Sequence, residues 1–263
     1  MSTLYYDTTG NPNNPAILFL HGFMGRGTDW RDISTQLADN FYGVMVDLPG
    51  HGQTTLDDHH LFTMENSTKL LVNLLDTLGL PAVHLAGYSM GGRLALYVAL
   101  HHLHRVKTLV LESASPGLKT AAERHQRRAH DAHLAQKLET IDFTQFLTEW
   151  YHLPLWDSLR EHPRFNEIRA KKLQNQPHLL AKSLREMGTG VQPSLWEKWA
   201  AYRGKTVLIT GGRDSKFSHI AQEMVTRNPQ AVHRLVPTCG HNVHVENPAE
   251  FLHILRAALC SPP

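Results

Sequence analysis

Runs of consecutive apolar residues alternate along much of this chain with stretches whose apolar positions recur at helical intervals. Residues 16–20, 42–47, 82–86, 108–111 and 206–210 form the first set; with 232–236 they are predicted as strands. Residues 30–37, 64–78, 92–100, about 220–225 and 248–259 have helical spacing. Gly79 closes the second of these, and Pro248 suits the first turn of the last. Near-continuous apolar strands separated by helices predict a parallel sheet covered on both faces.

From about 116 to 199 the pattern changes. No convincing strand occurs; helical stretches rich in Arg, His, Gln and Trp are punctuated by Pro154, Pro163, Pro177 and Pro193. The expectation is one α/β core formed by 1–115 and 203–263, with 116–202 inserted as a helical cap over the strand ends. Ligands of open α/β sheets bind at the carboxyl ends of the strands, so the cap would roof the site.

Composition narrows the class. Apolar residues make up 41% and charged residues 19% of 263, as in a globular enzyme. A net charge of +2 does not point to nucleic acid. No basic segment followed by an apolar one opens the sequence, and no apolar run approaches the ~20 residues that span a bilayer, so neither a signal peptide nor a membrane span is expected. Cys239 and Cys260 are the only cysteines, which points to a reducing cytoplasm.

The chemistry centres on Gly87-Tyr88-Ser89-Met90-Gly91, between a predicted strand and a predicted helix. A Gly-x-Ser-x-Gly there is a nucleophile elbow, whose sharp turn presents the serine hydroxyl at the sheet edge. A serine needs a base, and elbow enzymes supply their partners in the order Ser, Asp or Glu, His. Asp214 follows one late strand and His241 the next. Glu112, at a strand end after the elbow, is the rival acid, read here as an anchor for the start of the cap. His244 is the decoy among 19 histidines. The His21-Gly22-Phe23 turn should offer the Phe23 amide, with that of Met90, to a developing oxyanion. No metal or cofactor is expected: His101-His102-Leu103-His104 lacks zinc-helix spacing, and phosphate-loop and dinucleotide fingerprints are missing from the sequence. Cys239 reads as a small buried side chain.

His21-Gly22-Phe23-Met24-Gly25, Asp47-Leu48-Pro49-Gly50-His51-Gly52, the elbow and Gly240-His241 together resemble the α/β-hydrolase superfamily. Arg93 after the elbow, Ser115-Pro116-Gly117-Leu118, the cluster Arg124, Arg127 and Arg128, Asp214-Ser215-Lys216-Phe217 and Gly240 through Pro248 narrow the likeness. They resemble the menaquinone-pathway 2-succinyl-6-hydroxy-2,4-cyclohexadiene-1-carboxylate synthases. The resemblance implies a lyase that expels pyruvate from a tricarboxylate on a hydrolase scaffold. It implies that Arg93, Arg124 and Arg127 bind carboxylates, Arg127 foremost in the cap, and that Tyr88, Trp150 and Lys216 line the pocket. Guanidinium forks suit carboxylates. Two other readings use the same residues: a serine hydrolase of an acidic ester or carbon–carbon bond, and a ligand-binding protein on a hydrolase scaffold.

Overall fold

The computed structural model describes residues 3–54, 56 and 59–260; the outermost residues of the expected core segments, 1–2 and 261–263, lie outside them. Seven strands form one sheet: β1 (Tyr6–Thr9), β2 (Ala16–Leu20), β3 (Tyr42–Val46), β4 (Val83–Tyr88), β5 (Val106–Glu112), β6 (Thr206–Gly211) and β7 (Val232–Val236), in the order β1-β3-β2-β4-β5-β6-β7. All pairs are parallel except β1 with β3. The hydrophobic pattern does not reveal β1, because its four residues, Tyr-Asp-Thr-Thr, are half-exposed edge positions with no apolar run.

β2 shows why an uninterrupted apolar strand is buried on both faces. Leu18 and Leu20 pack in one core cluster with the elbow helix, Met90–His101, and the helix Met64–Thr77. Ile17 and Phe19 point the other way, into a cluster with Trp30, Phe251 and Leu255. Each such side chain contributes ~1.5–3 kcal/mol by leaving water. The helix Met64–Thr77 ends at Gly79, whose φ of +65° lets the Leu80 amide reach back to the Leu75 carbonyl.

Register aligns the functional edge. Gly87 of β4 pairs with Leu20 of β2 and Leu111 of β5, and Gly211 of β6 with Val236 of β7. The segments that follow β2, β4, β5, β6 and β7 therefore emerge at one end of the sheet.

Between β5 and β6 the described structure is helical, as expected for the cap. The helices Ala121–Thr140, Phe143–Tyr151, Phe165–Lys172 and Pro177–Met187 share an apolar cluster built on Phe146, Leu147, Leu159 and Leu180. Near the expected boundary at 202, in the helix Trp196–Ala201, Trp196 and Trp199 pack in the main core, along with Leu195 and Tyr202. Tryptophan spacing alone does not show which of two cores it fills. Asn175 ties the cap to the core, its amide donating to the Met24 carbonyl at 2.8 Å.

Candidate active site

Ser89 sits between β4 and its helix with φ +50° and ψ −107°, a left-handed backbone for a non-glycine residue. Such conformations cost on the order of 1–3 kcal/mol and persist where the surroundings over-determine them. Here the Ser89 amide donates to the Glu112 carbonyl at 2.8 Å, and the flanking glycines admit a crossing too close for side chains. A Cβ on Gly91 would lie 2.4 Å from the Leu20 carbonyl oxygen.

The carboxylate comes from the turn after β6. Asp214 caps the helix Ser215–Arg227, its Oδ1 accepting from the Phe217 amide at 3.1 Å. Its Oδ2 accepts from His241 Nδ1–H at 2.6 Å, and His241 Nε2 lies 3.1 Å from Ser89 Oγ. The Arg213 amide donates to the Cys239 carbonyl at 2.9 Å, locking the aspartate turn to the histidine loop. Asp214 and His241 are buried, and the imidazole is framed by Tyr88, Trp156 and Phe217. This tautomer leaves Nε2 free to accept the serine proton.

Glu112 and His244 have each other. His244 Nδ1–H donates to Glu112 Oε2 at 2.7 Å and its backbone amide to Oε1 at 3.0 Å. The His244 ring stacks on Trp30 at 4.2 Å. Glu112 thus secures the loop after β7, not the start of the cap as expected. Sequence reading also passes over Glu246. Its carboxylate accepts from the amides of Gly240 and Asn242, the neighbours of His241, and from the Ser158 hydroxyl of the cap. In the sequence this glutamate stands within the run from Gly240 to Pro248, where nothing assigns it a role.

His21 fixes the neighbouring turn. Its Nδ1–H donates to the Gly22 carbonyl at 2.7 Å and its Nε2 accepts from the Leu48 amide at 3.0 Å. Burial lowers its pKa below the ordinary imidazole value, so it stays neutral. Phe23 and Met90 both line the cavity at Ser89. Among the described residues, neither amide donates to a turn, loop or side-chain acceptor.

The cavity over Ser89 has a volume of about 350 Å³ and is also lined by Tyr88, Arg93, Arg127, Trp150, Lys216 and His241. Arg93 is buried; Nη1 donates to Gln192 Oε1 at 2.7 Å and Nη2 to the Met187 carbonyl at 3.0 Å. Burial, and then Arg127, pull its pKa down to about 10, against Asp131, so it remains charged at neutral pH. Arg127 reaches the cavity while its Nε–H binds Asp131 Oδ1 at 2.7 Å. Arg124 is not among the residues lining this cavity, and its Nη1 donates to the carbonyls of Leu118 and Lys119. Helical spacing groups it with Arg127 and Arg128, but it lies in the helix's first turn and bonds back to the preceding loop. Arg128 donates to the Gly190 carbonyl. The Lys216 ammonium has a lowered pKa, through burial first and then Arg127, with Asp214 opposing. The Tyr88 phenol, buried and near Glu112, is raised well above its ordinary value and stays protonated.

A second cavity of about 550 Å³ lies across the wall made by Phe23, Tyr88, Trp150 and Trp156, but neither Ser89 nor His241 lines it. Among the described residues no group of three or more His, Cys, Asp or Glu could hold a metal ion, and no helix is long and apolar enough to cross a membrane.

Residues 15–248 match the family model described as the alpha/beta hydrolase fold. The chain is 35% identical over 250 residues to 2-succinyl-6-hydroxy-2,4-cyclohexadiene-1-carboxylate synthase of Escherichia coli O7:K1, covering 95% of this chain and 96% of that one. It is 34% identical over 270 residues to the Arabidopsis thaliana protein PHYLLO, chloroplastic, covering 97% of this chain but only 16% of that much longer protein. Among solved structures, MenH from S. aureus superposes with a TM-score of 0.91 at 34% identity, over 98% of both chains.

Proposed function

Because the chain belongs to the α/β-hydrolase fold family and, within it, to the 2-succinyl-6-hydroxy-2,4-cyclohexadiene-1-carboxylate synthases, we propose that it is a lyase of menaquinone or phylloquinone biosynthesis. It eliminates pyruvate from 2-succinyl-5-enolpyruvyl-6-hydroxy-3-cyclohexene-1-carboxylate. The observation that carries this beyond the fold is Arg93: a buried guanidinium in the reaction cavity, held among the described residues by neutral oxygens alone. An apolar acyl pocket has no use for such a charge. A substrate bearing carboxylates does.

On this reading Ser89 Oγ removes the proton next to the succinyl ketone as His241 Nε2 takes the serine proton, with Asp214 steadying the imidazolium. The Phe23 and Met90 amides stabilise the dienolate oxygen. The electron pair moves through the ring and breaks the carbon–oxygen bond to the enolpyruvyl group. Ser89 now carries the substrate's proton in place of its own; the proton held by the His241 imidazolium is the one consumed when the departing enolate is protonated on carbon to become pyruvate, which restores neutral His241. Arg93, Arg127 and Lys216 hold carboxylates, while Tyr88 and Trp150 shape the wall. The cap, taken as residues 116–194, excludes water. The free cysteines, with Cys260 exposed, support a cytoplasmic setting.

The direct test gives the purified protein the enolpyruvyl substrate and follows pyruvate and the conjugated cyclohexadiene. Both should appear in equal amounts. A higher kcat/KM for a simple nitrophenyl ester, with no pyruvate formed, would favour the hydrolase reading instead.

A further inference from the structure

Resting on the reading of Arg93 as a carboxylate receptor, we propose that Gln192 is a positioning residue that aims the Arg93 guanidinium while leaving its charge unneutralised for the substrate. Gln192 is wholly buried, in the segment that follows the last helix of the cap's own cluster. Its Oε1 and the Met187 carbonyl each take one N–H from the two terminal nitrogens of Arg93. Of the five N–H donors of an arginine, these contacts use two and fix the plane of the fork.

Charge makes the choice of residue informative. Among the described residues Arg93 has no salt bridge; the nearby Asp131 carboxylate acts on it through space, but its Oδ1 is paired with Arg127 and its Oδ2 makes no hydrogen bond to Arg93. A glutamate at 192 would put a carboxylate where the amide now sits and close a buried ion pair. Glutamine is also not the comfortable occupant. Its Nε2 is buried with no partner among the described residues, and it lies so close to Gly117 that a Cβ there would approach it to 2.8 Å. Leaving a buried donor unpaired is costly, so stability alone does not account for the amide. Its neutrality does: an acceptor without charge orients the guanidinium and keeps its field for an incoming anion.

The test compares Gln192→Glu and Gln192→Leu, each in the parent and in an Arg93→Ala background. Gln192→Glu should fold with an equal or higher Tm, hold kcat within a few-fold, and raise KM roughly 10–100-fold by occupying the receptor. Gln192→Leu, which loses the orienting oxygen but adds no charge, should raise KM less. Without Arg93 both effects should vanish, because the residues act as one unit. A normal KM for Gln192→Glu would overturn the proposal. So would a KM rise that persists in the Arg93→Ala background, which would mark a merely structural role. If Gln192→Glu fails to fold, the Gln192→Leu pair decides by the same criterion. Pyruvate release by the parent protein tests the lyase reading separately. Should the parent release none, the same comparison is read on KM for mono(4-nitrophenyl) succinate, an acidic ester.

Discussion

Ser89, Asp214 and His241 are joined by two hydrogen bonds of different character. The 2.6 Å contact to Asp214 is buried and charge-assisted, while the 3.1 Å contact to Ser89 opens onto the cavity. The first holds the tautomer; the second is where a proton moves. Ser89→Ala should therefore lower turnover by ~10³ or more with little change in substrate affinity, measured by single-turnover kinetics alongside equilibrium binding. More than a tenth of parental activity would remove Ser89 from the chemistry. Asp214→Asn should be comparably severe. Glu112→Gln should barely affect turnover and instead lower stability by about 1–3 kcal/mol, because it disturbs the bonds to His244. The opposite ranking of those two acids would reassign the triad.

At the scale of elements, two helices deliver the cavity's arginines. Arg93 lies one turn beyond Ser89 on the elbow helix, and Arg127 on the cap helix Ala121–Thr140. Core and cap thus each contribute a guanidinium to one cavity, so carboxylate binding would draw them together. Replacing either with Ala should reduce kcat/KM by ~10–100-fold, with Lys restoring only part, since an ammonium lacks the fork. Arg124→Ala, by contrast, should leave kcat/KM nearly unchanged, given its carbonyl partners outside the cavity. Steady-state kinetics on the tricarboxylate would settle each case; equal losses at Arg124 and Arg127 would show that the cap helix presents a different face.

For the whole molecule, the question is which bond chemistry the assembled site performs. Elimination needs a proton removed and no attacking water, whereas acyl transfer passes through an ester on Ser89. Deuterium on the ring carbon next to the succinyl ketone should slow turnover when proton removal limits the rate. Intact-protein mass spectrometry during turnover should detect no acyl adduct; one that forms and decays at the catalytic rate would return the chain to the hydrolases. Stability should also depend on pH in a defined direction. Burial holds His21 and His51 below the ordinary imidazole value and His84 at about 4. Their unfolded counterparts titrate near ~6.5, so between there and about 4 the unfolded chain binds the extra protons. Stability should be full above that window and fall as pH drops through it, by roughly tenfold or more in the folding equilibrium. Urea midpoints at pH 7.5 and 5 measure this, and His84→Leu should flatten the slope; identical midpoints would refute it.

The strands β2 to β6, the elbow and the order Ser89, Asp214, His241 were legible in the sequence because each rests on a local rule: doubly buried strands are apolar throughout, and a tight strand-to-helix crossing demands glycine. β1 left no such trace, since an edge strand half in water obeys no apolar pattern. The helical character of residues 116–202 was legible too, but not that Trp196 and Trp199 fill the main core, because apolar spacing says that a face is buried and not against what. The same limit applies to the charged residues. Arg93, Arg124, Arg127 and Arg128 carry the same guanidinium, and only the folded chain directs one toward Gln192 and the cavity, another toward Asp131 and the cavity, and two toward backbone carbonyls. Pairing Glu112 with His244 was equally a tertiary decision: it needed a loop 132 residues away to bring an imidazole within 2.7 Å. Backbone geometry follows from near neighbours in the chain, whereas the partner of a long polar side chain depends on which surfaces the completed fold brings together.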